Sequence, residues 1–100
     1  MKVMHLSQFN LDFPEGDPRN DEVINLMKEW GPKLPEAKDI RLFNQVNSGN
    51  PFKYVIVVDF GESDPSALDR YLNNPVHDQF CEEVWFKYVK NQLDTNLIEY

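Results

Sequence analysis

Apolar and polar positions change period several times along this chain, and each change marks an element. Val3 to Phe9 places Val3, His5, Ser7 and Phe9 on one side and Met4, Leu6 and Gln8 on the other, the pattern of a strand covered on both faces. The turn-rich run Asp12 to Pro18 follows. Asp17 before Pro18 has the form of an N-cap and first helical position, so a helix is expected over 18–30. Val23, Met27 and Trp30 form its apolar stripe with Ile24 beside it, and Gly31-Pro32 supplies the stop. After the turn Lys33 to Ala37, the segment Asp39 to Val46 sets Ile40, Leu42, Asn44 and Val46 against Arg41, Phe43 and Gln45, which reads as a second strand. Asn47 to Pro51 is a short loop of turn formers, so the next strand, Phe52 to Phe60, should pair antiparallel with the one before it. Its centre, Tyr54-Val55-Ile56-Val57-Val58, is apolar at every position, as in a strand buried on both faces.

Helical periodicity returns over 65–89. Ser63-Asp64-Pro65-Ser66 opens a short helix running from Leu68 to Asn73, and Asn74 then offers an N-cap with Pro75 at the first helical position of another. Counting on from His77, the residues Phe80, Cys81, Val84, Trp85 and Tyr88 recur at three-and-four spacing, while Asp78, Glu82, Glu83 and Lys87 fall on the opposite side. His77 thus heads a buried stripe, and its place near the positive end of the helix dipole disfavours the imidazolium form. Leu93 to Tyr100 closes the chain as a last strand by its β-branched and aromatic end.

The order strand, helix, strand, strand, helix pair, strand is the split βαβ or ferredoxin-like pattern, an α+β fold with a four-stranded antiparallel sheet and helices on one face. In that topology the first and third strands lie in the middle, and they are the two with apolar residues on both sides. Helices in so short a chain can cover one face only. A second copy of the chain is the economical cover for the other, so a homodimer is expected.

Composition narrows the function classes. One hundred residues, 41% hydrophobic and 13% aromatic, supply one core, so 1–100 is read as one domain. The net charge of −7 argues against nucleic acid and anionic membrane surfaces as partners. Met1 to Gln8 builds no apolar leader, and the longest apolar run is Tyr54 to Val58, so neither a signal peptide nor a membrane span is expected. The single cysteine, Cys81, lies on the apolar stripe without a basic neighbour, which suits a small packed hydrophobe and a reducing, cytoplasmic-type compartment.

His5 in the first strand, Lys53 to Phe60 followed by Glu62-Ser63, then Tyr71-Leu72-Asn73-Asn74-Pro75-Val76-His77, and the closing Leu97-Ile98-Glu99-Tyr100 resemble the stress-responsive dimeric α/β-barrel (Dabb) family over the whole chain. The spacing of tyrosine, proline and histidine is the most specific part. Asn74 stands where the family usually has a second histidine, and Glu99 where it has an aspartate. The resemblance implies a homodimer whose two sheets join into a barrel, with a pocket in each subunit between sheet and helices. Some members are similar to plant polyketide cyclases, cofactor-free enzymes that close rings by aldol chemistry. Their acid-base residues correspond to His5, Tyr71 and His77 here. A further tyrosine in their first helix falls at Met27, which removes one polar group from the pocket. Some relatives hold magnesium through backbone carbonyls of the turn that is Gly31 to Ala37 here, but the side chains of that turn give no support for a metal, and no cofactor is expected.

Aldol chemistry without a cofactor needs a base to take a proton next to a carbonyl and a donor to stabilise the oxyanion that results. His77, His5 and Tyr71 could supply both. The residues by themselves fit a packed core histidine, a structural strand histidine and a boundary aromatic better than a catalytic set, the resemblance brings the two readings level for His77 and Tyr71, and Trp30 with Trp85 fits core better than a ligand-stacking box. Three classes therefore remain open: a lyase- or cyclase-type enzyme on a small apolar or aromatic ligand, a non-catalytic stress-responsive barrel, and a cofactor-free monooxygenase of the related dimeric-barrel group.

Overall fold

The computed structural model describes residues 1–46 and 49–100, and its first strand obeys the alternation residue by residue. In β1 (Lys2–Leu11), Val3, His5, Ser7, Phe9 and Leu11 are buried while the intervening side chains are half-buried. With β2 (Asp39–Asn44), β3 (Tyr54–Glu62) and β4 (Val89–Ile98) it makes a four-stranded antiparallel sheet in the order β2-β3-β1-β4. The two strands with apolar residues on both faces are the central pair, as expected. Of the turn expected over 47–51, Asn47 and Ser48 lie outside the described residues.

The helices are α1 (Arg19–Trp30), α2 (Ser66–Leu72) and α3 (Pro75–Phe80), the last continued by a π-helical stretch, Cys81–Trp85, and a final turn, α4 (Phe86–Tyr88). Their apolar stripes meet the buried side of the sheet. Val23, Met27 and Trp30 from α1 and Phe80, Val84 and Trp85 from the last helix pack with Phe9, Ile56 and Val58. Phe9, fully buried, touches Tyr54 and Trp85 at ring separations of 5.5 and 4.9 Å, within the range of favourable aromatic pairs.

Caps explain where these helices start. Asn74 accepts from the Val76 N–H at 2.9 Å and begins α3 where the sequence places it. Asp17 and Asp64 also cap, but from one residue further back, accepting from the Arg19 and Ser66 amides at 2.9 and 2.8 Å, so α1 and α2 begin one residue after each proline. The helix expected to run as one α-helix to residue 89 carries the π-helical turn instead, which brings the neighbours Val84 and Trp85 into the core together while Glu82 and Glu83 stay exposed.

All four strands differ in extent from the sequence reading, β1 by running Lys2–Leu11 rather than Val3 to Phe9. β2 stops at Asn44, and Gln45 turns its side chain to a carboxamide cluster with Gln8 and Asn50. β3 begins two residues late and runs on to Glu62 through a bulge, because Gly61 takes φ 67° and the Asp59 carboxylate accepts from its N–H at 2.7 Å. β4 begins at Val89 rather than 93. Val89 to Gln92 carries no apolar alternation; backbone pairing with β1 makes it a strand, and Lys90 to Ile98 are all exposed.

On the sheet face away from the helices, Met4, Leu6, Val55 and Val57 are half-buried, and Phe43, Leu93 and Leu97 beside them are exposed. No element among the described residues covers this apolar face.

Candidate functional site

The site lies between the helix-facing side of β1, the adjoining part of β4, and the two helices that follow β3. A cavity of about 170 Å³ there is lined by His5, Ser7, Tyr71, His77, Trp85 and Asp94, with Ile56, Val58 and Phe80 among its apolar walls.

His5 arrives from the buried side of β1, 8% exposed, directly across the ladder from Asn96 of β4. Its Nδ1 is 2.7 Å from the Asn96 carboxamide oxygen. Two residues further along the same ladder, the Ser7 hydroxyl donates to the Asp94 carboxylate at 2.6 Å. The Gln92 amide donates to the same carboxylate at 3.2 Å, and the Trp85 indole N–H donates to the Gln92 side-chain oxygen at 2.5 Å. Gln92, Asp94 and Asn96 thus form a polar row along the open edge strand, tied at one end to the last helix and at the other to His5.

Tyr71 sits near the end of α2, buried, with its ring 4.7 Å from that of His77, 6.2 Å from that of His5 and edge-on to Phe60 at 5.4 Å. Burial raises its phenol well above the ordinary value, with Cys81 adding to the shift, so it stays protonated. No group among the described residues hydrogen-bonds that phenol. His77 lies in the first turn of α3, half-buried, with the Cys81 sulfur 3.8 Å from its Nδ1. Burial lowers its pKa; Asp78 opposes the shift, a charge on His5 reinforces it, and the Leu72 backbone opposes it weakly. The imidazole is therefore neutral near pH 7. Burial pushes the Cys81 thiol up to about 11, which removes it as a nucleophile.

The structure thus brings His5, Tyr71 and His77 to one cavity, with the tyrosine ring beside both imidazoles. Trp30 and Trp85 each pack against Phe80, at 5.8 and 6.2 Å, and leave the cavity open beside them. Met27 is buried in the core away from the cavity lining. Glu99 lies beyond β4, its N–H donating to the Lys2 carbonyl, and the carboxylate at the cavity is that of Asp94. Sequence reasoning missed the row Gln92, Asp94 and Asn96. Its signal is an alternation of polar residues with Leu93, Thr95 and Leu97, and Gln92 falls before the expected strand start at 93.

Among the described residues, no group of three or more His, Cys, Asp or Glu is placed to hold a metal ion. In the turn 31–37 the single carboxylate, Glu36, is paired with Arg70 at 3.2 Å. A larger, more open cleft of about 640 Å³ lies at the other end of the sheet beside Asn10, Lys53, Tyr54 and Asn91. None of the three residues reaches it, and Asn10 and Asn91 are hydrogen-bonded to each other.

No protein-family model matches the chain, and no curated protein matches it. Solved structures do match. A Dabb family protein with a ferredoxin-like fold from Mesorhizobium loti superposes with a TM-score of 0.86 at 16% identity, over 99% of this chain and 97% of that one. A dimeric ferredoxin-like protein of unknown function from Thermobifida fusca gives 0.73 at 15% identity, over 99% and 92%. The hydroxynitrile lyase of Passiflora edulis gives 0.76 at 14% identity, over 99% and 94%. These likenesses establish the fold: a ferredoxin-like, four-stranded antiparallel sheet under helices.

Proposed function

We propose that this chain belongs to the Dabb family, acts as a homodimer, and uses the cavity between sheet and helices as a cofactor-free acid-base site for lyase- or cyclase-type chemistry next to a carbonyl group. The observation that carries the reading is the convergence of two imidazoles and one protonated phenol on a single cavity with apolar walls. An imidazole, that of His77 or of His5, takes the proton adjacent to the carbonyl, or the hydroxyl proton in the reverse, bond-breaking direction. Tyr71 donates to the oxyanion that develops, and its burial makes that hydrogen bond stronger than it would be in water.

Volume favours a small substrate. An apolar cavity of about 150 Å³ takes one benzene ring, so about 170 Å³ suits a single ring or a short acyl unit better than an extended poly-β-keto chain. The likeness in fold to a hydroxynitrile lyase supports the same direction, that of a lyase on a small hydroxyl- or carbonyl-bearing compound. The dimer reading rests on the uncovered apolar sheet face, and the dimeric state of the Thermobifida fusca protein supports it.

The test is turnover of small aromatic and aliphatic aldehydes, cyanohydrins and β-keto compounds by wild type, His77→Ala and His5→Ala. Loss of the base should slow the reaction by about 10²–10⁴ while the variant keeps its fold and its dimer. Unchanged turnover in a folded His77→Ala variant would remove His77 from the mechanism. Oxygen uptake with an aromatic substrate, measured at an electrode, would move the assignment to a monooxygenase.

A further inference from the structure

We infer that Asn96 is a positioning residue for His5, holding its imidazole as the Nδ1–H tautomer so that the Nε2 lone pair is the proton acceptor offered to a ligand in the cavity. This deepens the acid-base reading above and rests on it for the ligand's place. The two ring nitrogens of a neutral histidine are not equivalent, and the hydrogen bond made by one decides which carries the proton. The Asn96 oxygen, 2.7 Å from Nδ1, can only accept. Nδ1 must then be the donor, which in the neutral ring leaves Nε2 bare. No group among the described residues bonds Nε2, and His5 lines the cavity.

The carboxamide is itself held in place. His5 and Asn96 are opposite members of one ladder, and the bond from Ser7 to Asp94 two residues along pins the same register. Asp94 is further tied through Gln92 to the Trp85 indole, so the strand that carries Asn96 is anchored to the helix that walls the cavity. Division of labour between the histidines follows. His5, on a central strand, has one nitrogen committed to a neutral acceptor, whereas His77, at a helix start, touches a sulfur and the Leu72 backbone. His5 is the group whose orientation is fixed before a ligand arrives, and preorganisation of this kind is what a general base needs.

The experiment reads the tautomer directly and needs no substrate. The chain contains two histidines, so a long-range proton–nitrogen correlation spectrum of the uniformly ¹⁵N-labelled protein shows only four imidazole nitrogens. Above the titration range, His5 should show a protonated Nδ1 and a bare Nε2, and phenol, used as a single-ring hydroxyl probe, should move the Nε2 resonance and leave Nδ1 largely unmoved. Asn96→Leu, whose side chain cannot accept, should shift the population to the Nε2–H form and abolish the phenol response at that nitrogen. Asn96→Asp, which keeps an acceptor, should retain the Nδ1–H form and serves as the control for folding. A wild-type His5 in the Nε2–H form, an unchanged tautomer in Asn96→Leu, or a phenol titration that never touches Nε2 would each overturn the inference. The Nδ1–H form with the phenol response, in a protein that turns over none of the carbonyl compounds, would support the positioning role and overturn the acid-base enzyme reading alone.

Discussion

Tyr71 is the residue at which stability and chemistry separate most cleanly. Its ring is locked between Phe60 and His77, yet its hydroxyl bonds nothing among the described residues. Tyr71→Phe keeps the ring and removes only that hydroxyl, so it should change stability by less than about 1 kcal/mol. If the phenol is the oxyanion donor, the same variant should lose about 10²–10³ in turnover. Urea denaturation and steady-state kinetics on one preparation make the comparison, and a large loss of stability with unaltered turnover would assign Tyr71 to the core. His77 carries a pH signature. Its folded pKa lies below the ordinary value of about 6.5, so the unfolded chain binds more protons as pH falls through that range. Stability is complete above about pH 6.5 and declines as pH falls towards the lower folded value. Unfolding curves between pH 7.5 and 5 should show this decline in wild type and a shallower one in His77→Gln; equal slopes would contradict the burial of a neutral imidazole.

At the scale of the element, the start of α3 sets the position of His77. Asn74 caps the helix through Val76, Pro75 fixes the first turn, and His77 follows at the position that faces the cavity. Asn74→Ala should cost about 1 kcal/mol, within the range of about 0.5–2 kcal/mol for lost caps. Asn74→Asp or Asn74→Ser should recover most of it, as read by thermal melting with each variant's far-ultraviolet dichroism checked. A neutral effect of Asn74→Ala would mean that tertiary packing, not the cap, holds the first turn. The π-helical turn in the same helix has the opposite character. It places Val84 and Trp85 side by side in the core, and the Trp85 indole then reaches Gln92 of β4.

For the whole molecule, the governing fact is a sheet with one face packed and one bare. Leaving a large apolar side chain in water rather than in an interface forgoes roughly 1.5–3 kcal/mol, and Met4, Leu6, Val55, Val57, Phe43, Leu93 and Leu97 all lie on the bare face. Light scattering at micromolar concentration should therefore return about twice the chain mass of 11.8 kDa. Val57→Lys, at the centre of that face, should shift the population to monomer and lower the melting temperature. A wild-type chain that stays folded and monomeric at all concentrations would refute the dimer.

The sequence by itself determined the order of elements, the central place of β1 and β3, and the approach of His5, Tyr71 and His77 to one layer. Each is a local signal: a period of two or of three to four fixes which side chains share a face, and Asn74-Pro75 fixes where a helix begins. Local signals also set their own limit. Strand ends are decided by backbone pairing with a neighbour, which leaves no mark in side-chain polarity, so β4 extends over Val89 to Gln92 and β3 passes through its bulge at Gly61 to Glu62. For the same reason only the tertiary structure decided that Asn96 faces His5, that Asp94 faces Ser7, and that an open cavity of about 170 Å³ remains among the aromatic side chains. Those are contacts between residues some ninety positions apart, set by the register of two strands, and a one-residue slip in that register would have turned the polar row to the other face.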